Sequence, residues 1–259
     1  MRNTSKWTTE VPYLSEQTIE RDSEMLLAEY NDSLRVPVRP PIPIEDIVEK
    51  HLKLRIDLGD LHARLGVPRT ESEPDILGAI WIHERQIFID EWLDPEEYPS
   101  MEGRYRFTLA HEGGGHWRLH RFLAPDPAQI GLFGGPSEPT VICRTSEYKV
   151  RREWQADFHA SCLLMPKHLM VEAWRERFGD ANPRILRRKN RIMLPADAGD
   201  EMTTEIQSFE QQGDDEALGE FVRPFADKFK VSKIAMRIRL EKLGLLLREV
   251  SRQRSLKIG

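Results

Sequence analysis

Three of the eight histidines fall within ten residues, His111, His116 and His120 in FTLAHEGGGHWRLH, and Glu112 follows the first of them. On an α-helix, two histidines four residues apart share a face and can grip one zinc ion through their imidazole nitrogens. A Glu after the first then serves as the base that takes a proton from water. Here the spacing is one residue longer, HExxxH. At about 100° per residue, a five-residue step leaves two rings about 140° apart, against about 40° for a four-residue step. An undistorted helix therefore cannot present His111 and His116 to one ion. A single π-bulge, which absorbs one extra residue in a turn, would restore the alignment. Gly113, Gly114 and Gly115 suit such a distortion because glycine tolerates unusual backbone angles, at a cost of about 1 kcal/mol each in a regular helix. Two alternatives stay open. His116 and His120, four apart, could be the pair, although Trp117 rather than Glu follows His116. Or the extra residue has spoiled the site and left a metal-free scaffold.

A catalytic zinc site needs a third protein ligand and keeps one coordination position for water. RREWQADFHASCLLMP offers it. Glu153 and Asp157 are four apart on one helix face, so Glu153 can bind the metal while Asp157 accepts a hydrogen bond from the far nitrogen of a ligating histidine. The alternative is a solvated acidic pair beside Arg151 and Arg152. His120, His159 and Tyr148 are candidates for stabilising an oxyanion, with no ranking among them, and a core or surface role is favoured for His120. His51, His62, His83 and His168 have no ligand-spaced partner and read as structural or solvated.

The surrounding elements follow from periodicity. Residues 16–34 carry Ile19, Met25, Leu26, Tyr30 and Leu34 at near-helical spacing, and IEDIVEKHL, with Glu45 and Asp46 in its first turn, starts a short helix after a proline-rich stretch. GAIWIHERQIFID, residues 78–90, holds two runs of β-branched and aromatic residues around His83, Glu84 and Arg85, a β-hairpin in a small antiparallel sheet. A strand of that hairpin could pair with an extended peptide. Residues 102–122 look helical, 124–140 form a Pro- and Gly-rich loop in which Gly131, Gly134 and Gly135 suit a flexible lid, and 146–165 form a second helix stopped by Pro166. Trp117, Leu119, Phe122, Trp154, Phe158, Leu163 and Leu164 are expected to pack the two site helices together.

RYRFTLAHEGGGHWRLH and, some thirty residues on, EWQADFHASCLLMP together resemble the paired motifs of the ImmA/IrrE family of zinc metallopeptidases. GAIWIHERQIFIDE and PIPIEDIVEKHLKL are similar to the strand pair and leading helix before them, so the resemblance covers about residues 16–170. It implies a zincin-like fold, His111, His116 and Glu153 as metal ligands, Glu112 as general base and Asp157 behind the ligands. It further implies zinc, with manganese as an alternative, and limited cleavage of a helix-turn-helix repressor or antitoxin. Two positions depart from the family pattern: it has one residue fewer between the histidines, and His159 stands where Phe is usual. The longer HExxxH spacing also occurs in the dipeptidyl peptidase III family.

Length and composition bound the rest. With 259 residues, 39% apolar and 31% charged, the chain can build one large domain or two small ones, and a net charge of −5 excludes a globally basic nucleic-acid coat. Cys143 and Cys162 cannot form a disulfide framework, and neither a signal peptide nor a membrane span is readable, so a cytoplasmic protein is expected. PRILRRKNR is basic, residues 196–220 are acidic without a single base, and the segment from 223 is basic again. In FADKFKVSKIAMRIRLEKLGLL, Ser232 could cap a second helix, and Lys233, Arg237 and Arg239 could contact phosphates in a helix-turn-helix, or else form the solvated face of a docked helical pair. The expected organisation is an α+β zincin-like domain over 1–182, mainly helical, a charged linker over 183–221 and a basic helical segment over 222–259. The expected activity is a zinc metalloendopeptidase. The alternative is a catalytically degenerate regulator of the same fold that binds a protein partner or DNA.

Overall fold

The structure, a computed structural model, describes residues 11–69, 75–124, 139–144, 151–186 and 216–248. Outside them lie residues 125–138 of the loop expected at 124–140, with its three glycines, the helix start at 146–150 with Tyr148, the acidic stretch through 215 and the tail from 249. The chain divides into two compact units, Met1–Leu169 with Lys228–Ser232, and Met170–Asp227 with Lys233–Gly259. The boundary drawn at 182 falls inside the second of these. The molecule is mostly helical with a small four-stranded sheet, in keeping with an α+β class. No described helix is long and apolar enough to cross a membrane.

In the first unit, helix α1 spans Glu16–Leu34, capped by the Ser15 side chain, which accepts from the Thr18 amide at 3.2 Å. Its buried face is Ile19, Leu26, Leu27 and Tyr30, while Met25 and Leu34 are exposed, so the apolar stripe is narrower than their spacing suggested. Helix α2, Ile44–Asp46, runs on into a π-helical turn, Ile47–His51. Strand β1, Arg55–Gly59, leads to the short helix α3, Leu61–Leu65, and then to the hairpin of β2, Ile76–Trp81, and β3, Gln86–Asp90. Strand β4 is Val141–Arg144.

The sheet runs β1-β3-β2-β4. β2 is antiparallel to β3 and to β4, but β1 is parallel to β3, so the sheet is mixed rather than antiparallel. The chain leaves β1 through α3, and the hairpin then brings its second strand, not its first, alongside β1. Every residue of β2 is buried, and all but the first of β3, because both sheet faces are covered. That explains continuous apolar runs in place of a strict alternation. On one face Leu61 of α3 packs with Ile76, Ala79, Trp81 and Phe88. Both strands of the hairpin are flanked, which corrects the expectation that it offers an edge to a peptide: the outer strands are β1 and β4.

The other face carries the site helix. Helix α4, Glu102–Ala110, continues as a ten-residue π-helix, His111–His120, and ends in a 3-10 turn, Arg121–Leu123. The widening is thus not confined to a single bulge. Helix α5, Arg151–Leu164, lies against it. A Cβ on Gly115 would stand 2.6 Å from both Cα and Cβ of Ala156, and one on Gly113 would stand 2.7 Å from Val48 Cγ2. Neither these two nor Gly114 has a positive φ. The glycines are required by close approach, not by unusual backbone angles as the sequence suggested. Arg118 ties the π-helix to α1, its guanidinium spanning both Glu29 oxygens at 2.7 and 2.9 Å and reaching Asp22 at 3.2 Å. Trp117, Leu163 and Leu164 are buried, but Phe122 is 81% exposed, because the chain has already turned out of the helix where it stands.

The second unit holds the greater part of helix α6, Lys167–Phe178, strand β5, Arg184–Leu186, helix α7 over 216–229 up to its residue 227, helix α8, Lys233–Lys242, and strand β6, Leu246–Arg248. Trp174, fully buried, is ringed by Phe178, Phe221 and Phe225 at centroid distances of 4.6, 6.1 and 5.5 Å. β5 and β6 pair in parallel. Residues 184–186 and 216–221, which the sequence assigned to a linker, therefore form a strand and open a helix. The short break expected near Lys230 and Val231 separates α7 from α8.

If backbone contact at Gly115 sets the spacing of the site helices, Gly115→Ala destabilises the protein by about 1–3 kcal/mol. Gly219→Ala, whose Cβ meets nothing closer than Lys233 Cδ at 3.7 Å, is neutral or stabilising. Urea denaturation of the two variants measures this, and equal stabilities would contradict it.

Candidate metal centre

In a π-helix each backbone N–H bonds the carbonyl five residues back, so residues i and i+5 stack on one face. The π-helix begins at His111 and sets that ring against His116, with centroids 4.6 Å apart and planes at 81°. From α5, Glu153 Oε2 approaches His111 Nε2 to 3.3 Å and His116 Nε2 to 3.4 Å. Donor atoms of His111, His116 and Glu153 lie within 4.8 Å of one another. The imidazoles are 2% and 0% exposed, yet neither Nε2 has a hydrogen-bond partner among the described residues. Buried polar nitrogens without partners are costly. Two such nitrogens converging on a carboxylate form the donor set that suits a divalent cation such as zinc, so these residues fit one.

Glu112 stands beside this cluster. It is fully buried, neither carboxylate oxygen has a hydrogen-bond partner among the described residues, and burial pushes its pKa up to about 8. Room for it comes from β2: a Cβ on Gly78 would lie 2.7 Å from Thr108 Cγ2 and 3.4 Å from Glu112 Oε1. A poorly solvated carboxylate is a strong proton acceptor once a nearby cation keeps it ionised, as a general base requires.

Asp157 Oδ1 accepts from His111 Nδ1 at 2.9 Å, so in the neutral ring Nε2 is the lone-pair nitrogen. His120, the alternative partner of His116, is not in the group of converging donors. It stands behind that ring, Nδ1 to Nδ1 at 3.2 Å, and its own Nε2 meets Gln155 Oε1 at 2.9 Å. His159 faces α1, with Nε2 3.1 Å from Asp22 Oδ2, away from the converging donors. His62 ties the start of β2 through the Ile76 amide, His51 meets Glu29, and His83 and His168 are exposed. Tyr148 is outside the described residues.

Two participants escaped the sequence. Cys143 on β4 forms a second group of possible donors with His111 and Glu112, all within 4.8 Å, and burial keeps its thiol pKa raised against the pull of His111. Gln155 lies on the inward face of α5 between Glu153 and Asp157 in sequence. No spacing rule marks Cys143, which reaches the site only because β4 pairs with β2. The helical position of Gln155, two residues from Glu153, points to no shared face. No protein-family model matches the chain, and no curated protein matches it.

Loss of the carboxylate behind His111 should be felt at the metal. Asp157→Ala is expected to weaken zinc binding by about 10–100-fold, measured by competition with a chromophoric chelator. Unchanged affinity would mean that Asp157 does not orient a ligand.

Proposed function

We propose that this chain is a zincin-type metallopeptidase in which His111, His116 and Glu153 hold a zinc ion and Glu112 is the general base. The observation that carries it is the convergence of two buried, unpartnered Nε2 atoms and a carboxylate beside a second, unsatisfied carboxylate. Zinc held there would supply Lewis acidity, polarising the scissile carbonyl and acidifying water. Glu112 takes the proton from the attacking water and passes it to the leaving amine. Asp157 holds the His111 ring in its ligating tautomer. The peptide lies along β4, the outer strand that carries Cys143 next to His111, and pairs with its backbone, since no strand covers its outer side among the described residues.

The resemblance of RYRFTLAHEGGGHWRLH and EWQADFHASCLLMP to the ImmA/IrrE peptidases supports a substrate of the same kind, a helix-turn-helix repressor or antitoxin cut at a limited site in the cytoplasm. Zinc suits the two-imidazole, one-carboxylate set, and manganese is the alternative.

Glu112→Gln is expected to slow cleavage of a co-expressed helix-turn-helix repressor by about two to four orders of magnitude while leaving one zinc per chain. Chelation abolishes cleavage by the parent protein and added zinc restores it. Full-rate cleavage by Glu112→Gln, or cleavage that survives complete chelation, would contradict the proposal.

A further inference from the structure

Cys143 is not in the donor set of His111, His116 and Glu153, yet it stands next to two groups on which the centre depends. In the sheet it pairs with Gly78 of β2, and residues paired in register point their side chains to the same face. Gly78 has no side chain there, and the Glu112 carboxylate takes up the room, with Oε1 3.4 Å from where a Cβ on Gly78 would be. Donor atoms of Cys143, Glu112 and His111 thereby lie within 4.8 Å of one another. All three residues are buried, and neither Glu112 oxygen has a hydrogen-bond partner among the described residues. A thiol beside an unsatisfied buried carboxylate and an imidazole makes a second ligand set, of sulfur, oxygen and nitrogen. The two sets overlap at His111. With its Nδ1 engaged by Asp157 at 2.9 Å, Nε2 is the nitrogen left for an ion, and it serves one ion at a time. The sets also differ in preference. Two imidazoles and a carboxylate suit zinc or manganese, whereas sulfur draws softer ions, cadmium among them. An ion on the second set takes Glu112 as a ligand, so that carboxylate is no longer free to accept a proton from water.

We infer that Cys143, Glu112 and His111 form an alternative metal position, exclusive of the first through His111, on which a thiophilic ion holds the protein in a state unable to hydrolyse peptides. The loss of hydrolysis rests on the peptidase reading above, whereas the alternative position itself does not. As the sulfur–metal bond forms, the Cys143 thiol gives up its proton to solvent, and no group changes oxidation state.

The test titrates the full-length metal-free protein with cadmium alone and follows the ultraviolet charge-transfer absorption of a thiolate bound to cadmium. The parent protein is expected to take up one cadmium per chain with that band. Cys143→Ala should lose the band, and Cys162→Ala, which alters the chain's other cysteine, should keep it. Glu112→Gln should weaken cadmium binding by at least the about 10–100-fold that the loss of a mere orienting partner costs. His116→Ala, which spares the second set, should keep both the band and the affinity. Cadmium bound by the parent without the band would overturn the inference and leave the first metal set standing. So would a band lost in a His116→Ala variant whose circular dichroism matches the parent's, since Cys143 would then belong to the first set. A band that persists while His116→Ala and Glu153→Ala leave zinc affinity unchanged would instead sink the first set and leave the Cys143 position standing.

Discussion

Two histidines five residues apart can meet only if the helix carrying them is wound more widely than an α-helix, and a widened helix needs something to hold it open. Here that is contact between backbones. The run Gly113, Gly114, Gly115 has no side chains to keep α5, Val48 and Leu163 away, and at Gly115 the two helices approach so closely that a methyl group would overlap Ala156. Three glycines cost a helix about 1 kcal/mol each in propensity. They are offset by the packing they permit and by Arg118, which fastens the same turn to Asp22 and Glu29 on α1. Helix α5 packs along the π-helix, and Arg118 fastens the π-helix to α1.

The chemistry is a consequence of that arrangement. With the rings of His111 and His116 in register, Glu153 needs only to stand opposite, and the i, i+4 relation places Asp157 one turn further on behind His111. Behind the His111 ring stands the Asp157 carboxylate, and behind the His116 ring stands another imidazole, His120. The sheet serves the site from its own side: Gly78 leaves room for the Glu112 carboxylate, and β4 brings Cys143 to the same spot.

Much of this was legible from residue types and spacing. Helix α1, the hairpin and the two site helices follow from their apolar periods, and the donor cluster joins the residues singled out by HExxxH and by Glu153 and Asp157. The parallel pairing of β1 was not, since RIDLG is short and largely exposed, its Ile56 and Leu58 too few to mark a strand or its direction. Nor was the part played by the glycines, because a close approach depends on what stands opposite, and Ala156 is more than forty residues away. Gln155 and Cys143 were missed for the same reason: what each stands next to, His120 for one and His111 with Glu112 for the other, is supplied only by the tertiary fold. Phe122 shows the converse error, an aromatic at a core-like spacing in a segment where the helix has already ended.

The central claim is geometric, and a crystal structure of the zinc-loaded protein with anomalous data at the zinc edge tests it most directly. A single anomalous peak bounded by Nε2 of His111, Nε2 of His116 and the carboxylate of Glu153, on a chain that keeps its i→i+5 hydrogen bonds from His111 to His120, is the predicted result. A regular α-helix through the glycines with the two rings diverging, or zinc bound elsewhere in the molecule, would contradict it.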